Sequence, residues 1–274
     1  MSRLARMLEG IAGRGEAPCL YSGRRWRSYA DLAARIAVWQ RHIAAAGPAP
    51  GSVIAVQADY SLDSISFLLA AWASGLIVAF VPRDADPEAY VSASCAVARF
   101  TFPPSGPPVS VRRPAASGHA LIERLRSAQD AGMVIFTSGS TGEAKAALHS
   151  VERFLHKFER PGRALRTLAL LQFDHVAGLD TLLYTLCAGG GLVAPTERDP
   201  ASICALIEDS GAQVLSASPS FLRLLLASGA MEGHDLASLA VLTYGSEPMD
   251  AATLHRLNEA FPGVRLSQKY GTTE

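Results

Sequence analysis

Phe136-Thr137-Ser138-Gly139-Ser140-Thr141-Gly142-Glu143-Ala144-Lys145 holds the densest chemistry in the chain. Hydroxyls alternate with glycines, and a lysine closes the run. Such a loop turns backbone N–H groups inward and, with the hydroxyls, makes a nest of donors suited to a phosphate chain. Lys145 adds a positive charge beside it. The Walker pattern does not fit, because it needs Gly and Lys adjacent with Ser or Thr next. Here Gly142 is separated from Lys145, and Ala146 follows. Ser, Thr and Gly between strands also make ordinary turns, so spacing alone leaves both readings open.

The elements around the loop are legible from periodicity. Met133-Val134-Ile135-Phe136 and Ala146-Ala147-Leu148-His149 read as strands on either side of it. Leu32, Ile36, Trp39 and Ile43 recur at helical spacing after Ser28-Tyr29-Ala30-Asp31. Ser28 is the expected N-cap, but Asp31 is shorter than the Glu of a capping box, so no reciprocal bond is expected. From 64 to 82 no residue is charged, which imitates a membrane span. Ser74-Gly75 interrupts it, and helix, glycine stop and buried parallel strand explain the same residues. Asp86-Pro87-Glu88 opens a helix. Residues 102–118 carry five prolines and read as a surface linker. Beyond the loop the spacing predicts strands at 168–171, 192–193, 214–215, 239–242 and 264–266, with helices between. Alternation of this kind predicts an α/β fold: two mainly parallel sheets with flanking helices. The expected division is a first subdomain at 1–105, a linker at 106–117 and a second subdomain at 118–274.

Three more polar stretches follow predicted strands: 173–178, 244–248 and 270–274. Ligands of an open parallel sheet bind beyond the carboxyl ends of its strands. All four stretches are therefore expected in one crevice. His175 alone reads more readily as a capping or core histidine than as a catalyst.

Together these motifs resemble those of the AMP-forming adenylating enzymes, the superfamily of acyl-CoA synthetases, amino-acid adenylation domains and luciferases. The resemblance implies that Thr137, Ser138, Gly139, Ser140, Thr141, Gly142 and Lys145 hold phosphates. Ala144 stands where the family has a proline, which removes a fixed φ but no donor. Gly245-Ser246-Glu247-Pro248 resembles the family's adenine strip, with Gly245, Ser246 and Glu247 at the nucleotide, and Tyr244 before it falls in the implied substrate pocket. Tyr270-Gly271-Thr272-Thr273-Glu274 resembles the Tyr-Gly-x-Thr-Glu signature. By that likeness Tyr270 stacks on adenine, Thr273 bonds the α-phosphate, Glu274 binds Mg²⁺ and Gly271 lines the pocket. His175 resembles the His of a Phe-His-x-x-Gly loop at the carboxylate, although Asp174 intervenes. A second register would set Phe173-Asp174 against the Phe-Asp of amino-acid adenylation domains. The His register also accommodates Gly178 and puts Val176 at the amine position, where it cannot pair a cation. That disfavours an amino acid.

The implied activity is that of a ligase: ATP- and Mg²⁺-dependent activation of a small carboxylic acid to an acyl adenylate. Transfer to a thiol follows, coenzyme A as in acyl-CoA synthetases or the phosphopantetheine of a carrier protein. A nucleotide-binding remnant without turnover is the alternative. The resemblance covers the leading, incomplete N-terminal domain of such an enzyme. The ribose-binding Asp, the hinge and the C-terminal domain with its catalytic Lys have no counterpart in the 274 residues.

Totals agree with this reading. Twenty-five basic and 25 acidic residues balance, which gives no case for nucleic acid or an anionic membrane as partner. Hydrophobic content of 49% with 18% charged residues is that of a globular chain. Cys19, Cys95, Cys187 and Cys204 are scattered, form no CxxC pair and read as reduced thiols of a cytoplasmic protein.

Overall fold

The computed structural model describes the chain except residues 47, 104–107, 113–117, 139–143, 161, 272 and 274, and the side chains of 46, 138 and 144. It begins with a helix outside the sequence expectations, α1 (Arg3–Gly13), and a hairpin of β1 (Pro18–Ser22) and β2 (Arg25–Ser28). Gly23 and Arg24 take φ of 56° and 59° in the turn, which suits the right-handed twist of the flanking strands. α2 (Tyr29–Ala46) follows. The Ser28 N–H donates to Asp31 Oδ2 at 3.0 Å and the Asp31 N–H to Ser28 Oγ at 3.1 Å. The reciprocal bond is therefore made after all; a short Asp spans the turn when the N-cap backbone is close enough.

β3 (Val53–Gln57), α3 (Leu62–Ala73) and β4 (Ile77–Val81) come next. Residues 64–72 of α3 are all buried, and a helix apolar on every side belongs inside a protein core. Among the described residues no helix is long and apolar enough to cross a membrane. α4 (Pro87–Ala93) is capped by Asp86. β5 (Ala98–Thr101) and β6 (Val109–Arg112) then form an antiparallel pair. The expected linker thus contains a strand. Val109-Ser110-Val111-Arg112 alternates with period two, and prolines are tolerated beside an edge strand.

α5 (Ala120–Ser127) leads to β7 (Gly132–Ser138) and β8 (Ala144–Ser150). These pair antiparallel as far as Ser138 opposite Ala144. Thr137, Ser138 and Lys145 thus belong to the strands, and only 139–143 connect them. α6 (Val151–Leu155), β9 (Arg166–Leu168), α7 (Val176–Ala188) and β10 (Gly191–Val193) follow. The chain continues with α8 (Pro200–Ser210), β11 (Val214–Ala217) and α9 (Pro219–Ser228). β12 (Val241–Tyr244), α10 (Ala251–Ala260) and β13 (Arg265–Gln268) complete the described elements.

Seven strands lie in the order β13-β12-β11-β9-β10-β1-β2 and six in the order β6-β5-β3-β4-β7-β8. Both sheets are parallel apart from the β1–β2, β5–β6 and β7–β8 pairs. They do not divide at 106–117: β1 and β2 join the later strands, and β7 and β8 join the earlier ones. The main core, with Trp72, Phe67, Phe80 and Phe173, is shared between them. Buried bonds cross it. Trp72 Nε1 donates to the Gly132 carbonyl at 3.0 Å, and the Tyr29 hydroxyl donates to Gly190 O at 2.8 Å. The Cys19 and Cys187 thiols are pushed up to about 12 and about 11, chiefly by burial. They are inert packing groups.

Candidate functional site

Three of the four polar stretches meet in a cleft of about 340 Å³ at the carboxyl ends of β11, β12 and β13. Val176 and Ala177 come from the start of α7, Tyr244, Gly245 and Ser246 from beyond β12, and Tyr270 and Gly271 from beyond β13. The fourth stretch does not line it with its described residues: Thr137 and Lys145 sit opposite each other in the β7–β8 ladder, Lys145 exposed. Gly139, Ser140, Thr141 and Gly142 lie outside the described residues, as does Glu274. A larger cavity of about 740 Å³ lies between α5, β8 and α6 and includes none of the four stretches.

Backbone contact brings two motifs together. The Lys269 N–H donates to the Tyr244 carbonyl at 2.7 Å. A Cβ on Gly245 would lie 2.4 Å from the Lys269 carbonyl oxygen, so only glycine permits this approach. Ser246 continues with φ of 71°. Tyr270, 95% exposed, stands at the mouth of the cleft. An exposed aromatic face beside a glycine backbone suits a flat base.

Expectation and structure part at four residues. A Cβ on Gly178 would lie 1.8 Å from the Gln172 carbonyl oxygen and 2.6 Å from the Tyr60 hydroxyl. Gly178 therefore positions the α7 entry and does not line the cleft. His175 is exposed outside the cleft, its Nε2 3.9 Å from Asp174 Oδ2. Asp174 is 5% exposed, and burial pushes its carboxyl up, against the opposing charge of His175. Glu247 faces away, toward α9: its carboxylate accepts from the Ser220 N–H at 3.0 Å and hydroxyl at 2.5 Å, and Arg223 lies 3.7 Å away. A carboxylate at a helix N-terminus satisfies an otherwise free N–H. Thr273 is half-buried and is not a lining residue.

Several lining residues carry no motif. Asp180 on α7 pairs with Lys157 and, at 3.6 Å, with Lys269. Thr181, Ser216 and Thr243 add hydroxyls to the wall. Their signal is a pattern repeated across three strands: Val214-Leu215-Ser216, Val241-Leu242-Thr243 and Arg265-Leu266-Ser267, each with leucine on one face and a hydroxyl on the other. Among the described residues no group of three His, Cys, Asp or Glu is gathered as for a metal.

A family model described as AMP-binding enzyme matches residues 108–274. Phenyloxazoline synthase MbtB of Mycobacterium sp. (strain MCS) is 29% identical over 269 residues, covering 90% of this chain and 22% of that protein. The chain thus spans about a fifth of the length of that curated relative. 4-Coumarate–CoA ligase 5 of Oryza sativa subsp. japonica is 29% identical over 174 residues, covering 58% of this chain and 32% of the ligase. The inhibitor-bound N-terminal domain of FACL13 from Mycobacterium tuberculosis superposes with a TM-score of 0.82 at 21% identity, over 100% of this chain and 77% of that one. That likeness is one of fold.

Proposed function

Because this chain belongs to the AMP-binding enzyme family, we propose that its cleft binds a carboxylic acid beside ATP and serves acid activation. A carboxylate is a poor acyl donor, since oxide would have to leave. In the proposed reaction its oxygen attacks the α-phosphorus of ATP and the bond to the pyrophosphate oxygen breaks. Acyl adenylate and pyrophosphate result. A thiol sulfur then attacks the acyl carbonyl, the acyl–phosphate bond breaks and AMP leaves.

One observation carries this reading: the Tyr244–Lys269 hydrogen bond and the bare Gly245 join the two nucleotide motifs on one cleft whose other wall is Val176 and Ala177. In this reading Tyr270 stacks on adenine, and the backbone of Gly245 and Ser246 borders it. The 139–143 connection with Lys145 holds the outer phosphates. Magnesium, when bound, would neutralise phosphate charge, and Glu274 is the residue we assign to it. The chain's own contribution is positioning and fixed dipoles around the reacting oxygens. The acceptor thiol is coenzyme A in this reading, supported by the likeness to a CoA ligase, with a carrier-protein phosphopantetheine as the competing acceptor. The protein is assigned to the cytoplasm, in keeping with four unpaired cysteines.

The test is pyrophosphate release by the complete gene product over a panel of acids, followed by a thioester assay with coenzyme A. Val176 offers an ammonium no partner, and the lining carboxylate, Asp180, already faces two lysines. Simple acids are expected to turn over and α-amino acids are not. Release with amino acids alone would overturn the choice of register at His175.

A further inference from the structure

We propose that the acid taken by this cleft carries oxygen on its tail: a hydroxy- or carboxy-substituted acid, not a plain alkyl one. The inference rests on the acid-activation reading above. The cleft continues into a second cavity of about 230 Å³, and the two share Thr181, Ser216, Thr243 and Lys269. This cavity lies between α7 and one face of β9, β11, β12 and β13.

That sheet face is unusual for its burial. Ser216, Thr243 and Ser267 stand side by side in one register row. Thr167, Val214, Val241 and Arg265 form the row two residues earlier. Leu168, Leu215 and Leu242, on the opposite face, are fully buried in the second core. Strands covered on both sides are ordinarily apolar on both; here the cavity face carries Thr167, Ser216, Thr243 and Ser267 beside Val214 and Val241.

The hydroxyls are not satisfied by one another. Ser216 and Thr243 are 3% and 8% exposed, and Thr243 Oγ1 donates to Ser216 Oγ at 2.8 Å. The two hydroxyls carry two hydrogens and make this one bond, so one O–H has no acceptor among the described residues. Thr167, 6% exposed, makes no side-chain hydrogen bond among them. From α7, Thr181 and Thr185 spend their hydrogens on the carbonyls of Ala177 and Thr181 at 2.9 and 2.7 Å. Toward the cavity they present lone pairs. An alkyl tail would leave these groups dry and unpaired, which is costly; a tail with its own oxygen would pair them. At the far end, Arg163 and Arg265 line the cavity, are exposed and have no ion-pair partner among the described residues. A terminal carboxylate would meet them there.

Successive same-face positions are about 7 Å apart along a strand. With the reacting carboxyl near Gly245, the hydroxyl row falls about 7 Å along the tail and the arginine row about 13 Å. Undecanoic, 6-hydroxyundecanoic and undecanedioic acids are probes matched to this spacing, since an extended chain advances about 1.3 Å per carbon–carbon bond. With the complete gene product, kcat/KM for pyrophosphate release should be about tenfold or more higher with each oxygenated acid than with undecanoic acid. Thr243→Val and Ser216→Ala should bring the ratio for the 6-hydroxy acid toward one, with thermal unfolding as the check on folding. If either variant fails to fold, the wild-type ratio decides. Undecanoic acid equal to or better than both oxygenated acids would overturn the proposal. No release with any acid would overturn the activation reading instead. Calorimetric binding of the three acids then decides the tail: tighter binding of an oxygenated acid supports the proposal and tighter binding of undecanoic acid overturns it.

Discussion

Arg198 closes on Asp59 with both terminal nitrogens, Nη1 to Oδ2 at 2.9 Å and Nη2 to Oδ1 at 2.8 Å. Asp59 follows β3 of the six-stranded sheet, and Arg198 follows β10 of the seven-stranded one. The fork therefore clasps the two sheets at the carboxyl ends of their strands. Arg83 adds a bond to Asp59 Oδ2 at 2.8 Å, and the neighbouring Tyr60 hydroxyl donates across to the Leu171 carbonyl at 2.9 Å.

Asp59→Asn should destabilise the fold by about 2 kcal/mol at pH 7, a buried-pair cost reduced by partial exposure. Burial would raise the Asp59 carboxyl, but the bond and charge of Arg198, the Tyr60 N–H and Arg83 outweigh it and hold it below its usual value. A lowered folded pKa gives stability that is full above the unfolded value, about 3.9, and is lost as pH falls through the folded one. Denaturant midpoints of wild type and variant should therefore differ at pH 7 and begin to converge only as pH falls below about 4. A gap that widened in acid would refute the assignment.

Two glycines should fail in different ways. Gly178→Ala places a methyl against the Gln172 backbone and should cost about 3 kcal/mol or more, read as a collapse of the unfolding midpoint. Gly245→Ala presses on the Lys269 carbonyl at the edge of the cleft. It should weaken AMP binding by about tenfold through loss of the Tyr244–Lys269 contact. Unchanged AMP affinity in calorimetry would separate Gly245 from the nucleotide.

Tyr270 tests the base platform. Because its ring is 95% exposed, Tyr270→Ala should change stability by no more than about 0.5 kcal/mol. AMP affinity should nevertheless fall about tenfold, the usual worth of one stacked base, and Tyr270→Phe should retain it. Equal loss in both variants would argue against stacking.

Lys145 tests the phosphate reading. Exposed at the end of β8, it is expected to serve the β- and γ-phosphates. Lys145→Ala should lower ATP affinity about tenfold more than AMP affinity. Equal loss for both nucleotides would count against it.

The elements with strong local signals were legible in the sequence. Leu32, Ile36, Trp39 and Ile43 mark the buried face of α2, and all four are buried. Asp86-Pro87 and Gly75 punctuate their elements as capping and glycine chemistry require. β1, β5 and β6 were not seen, because strands of four or five residues carry too few periods; α1 was missed although Leu4, Met7 and Ile11 recur at helical spacing and form its buried face. The β7 and β8 strands were legible on either side of the Ser- and Gly-rich run, but their ladder reaches Ser138 and Ala144, further than turn composition suggested.

What the sequence by itself determined was the alternation of strands and helices and the set of motifs that carry the family resemblance; caps, periods and spacings are local and sum along the chain. Only the tertiary structure decided which strands share a sheet, that Glu247 turns to Ser220, that Gly178 yields to a carbonyl, and that Ser216, Thr243 and Ser267 align. Strand pairing joins residues far apart in sequence, and its register sets which side chains face one cavity.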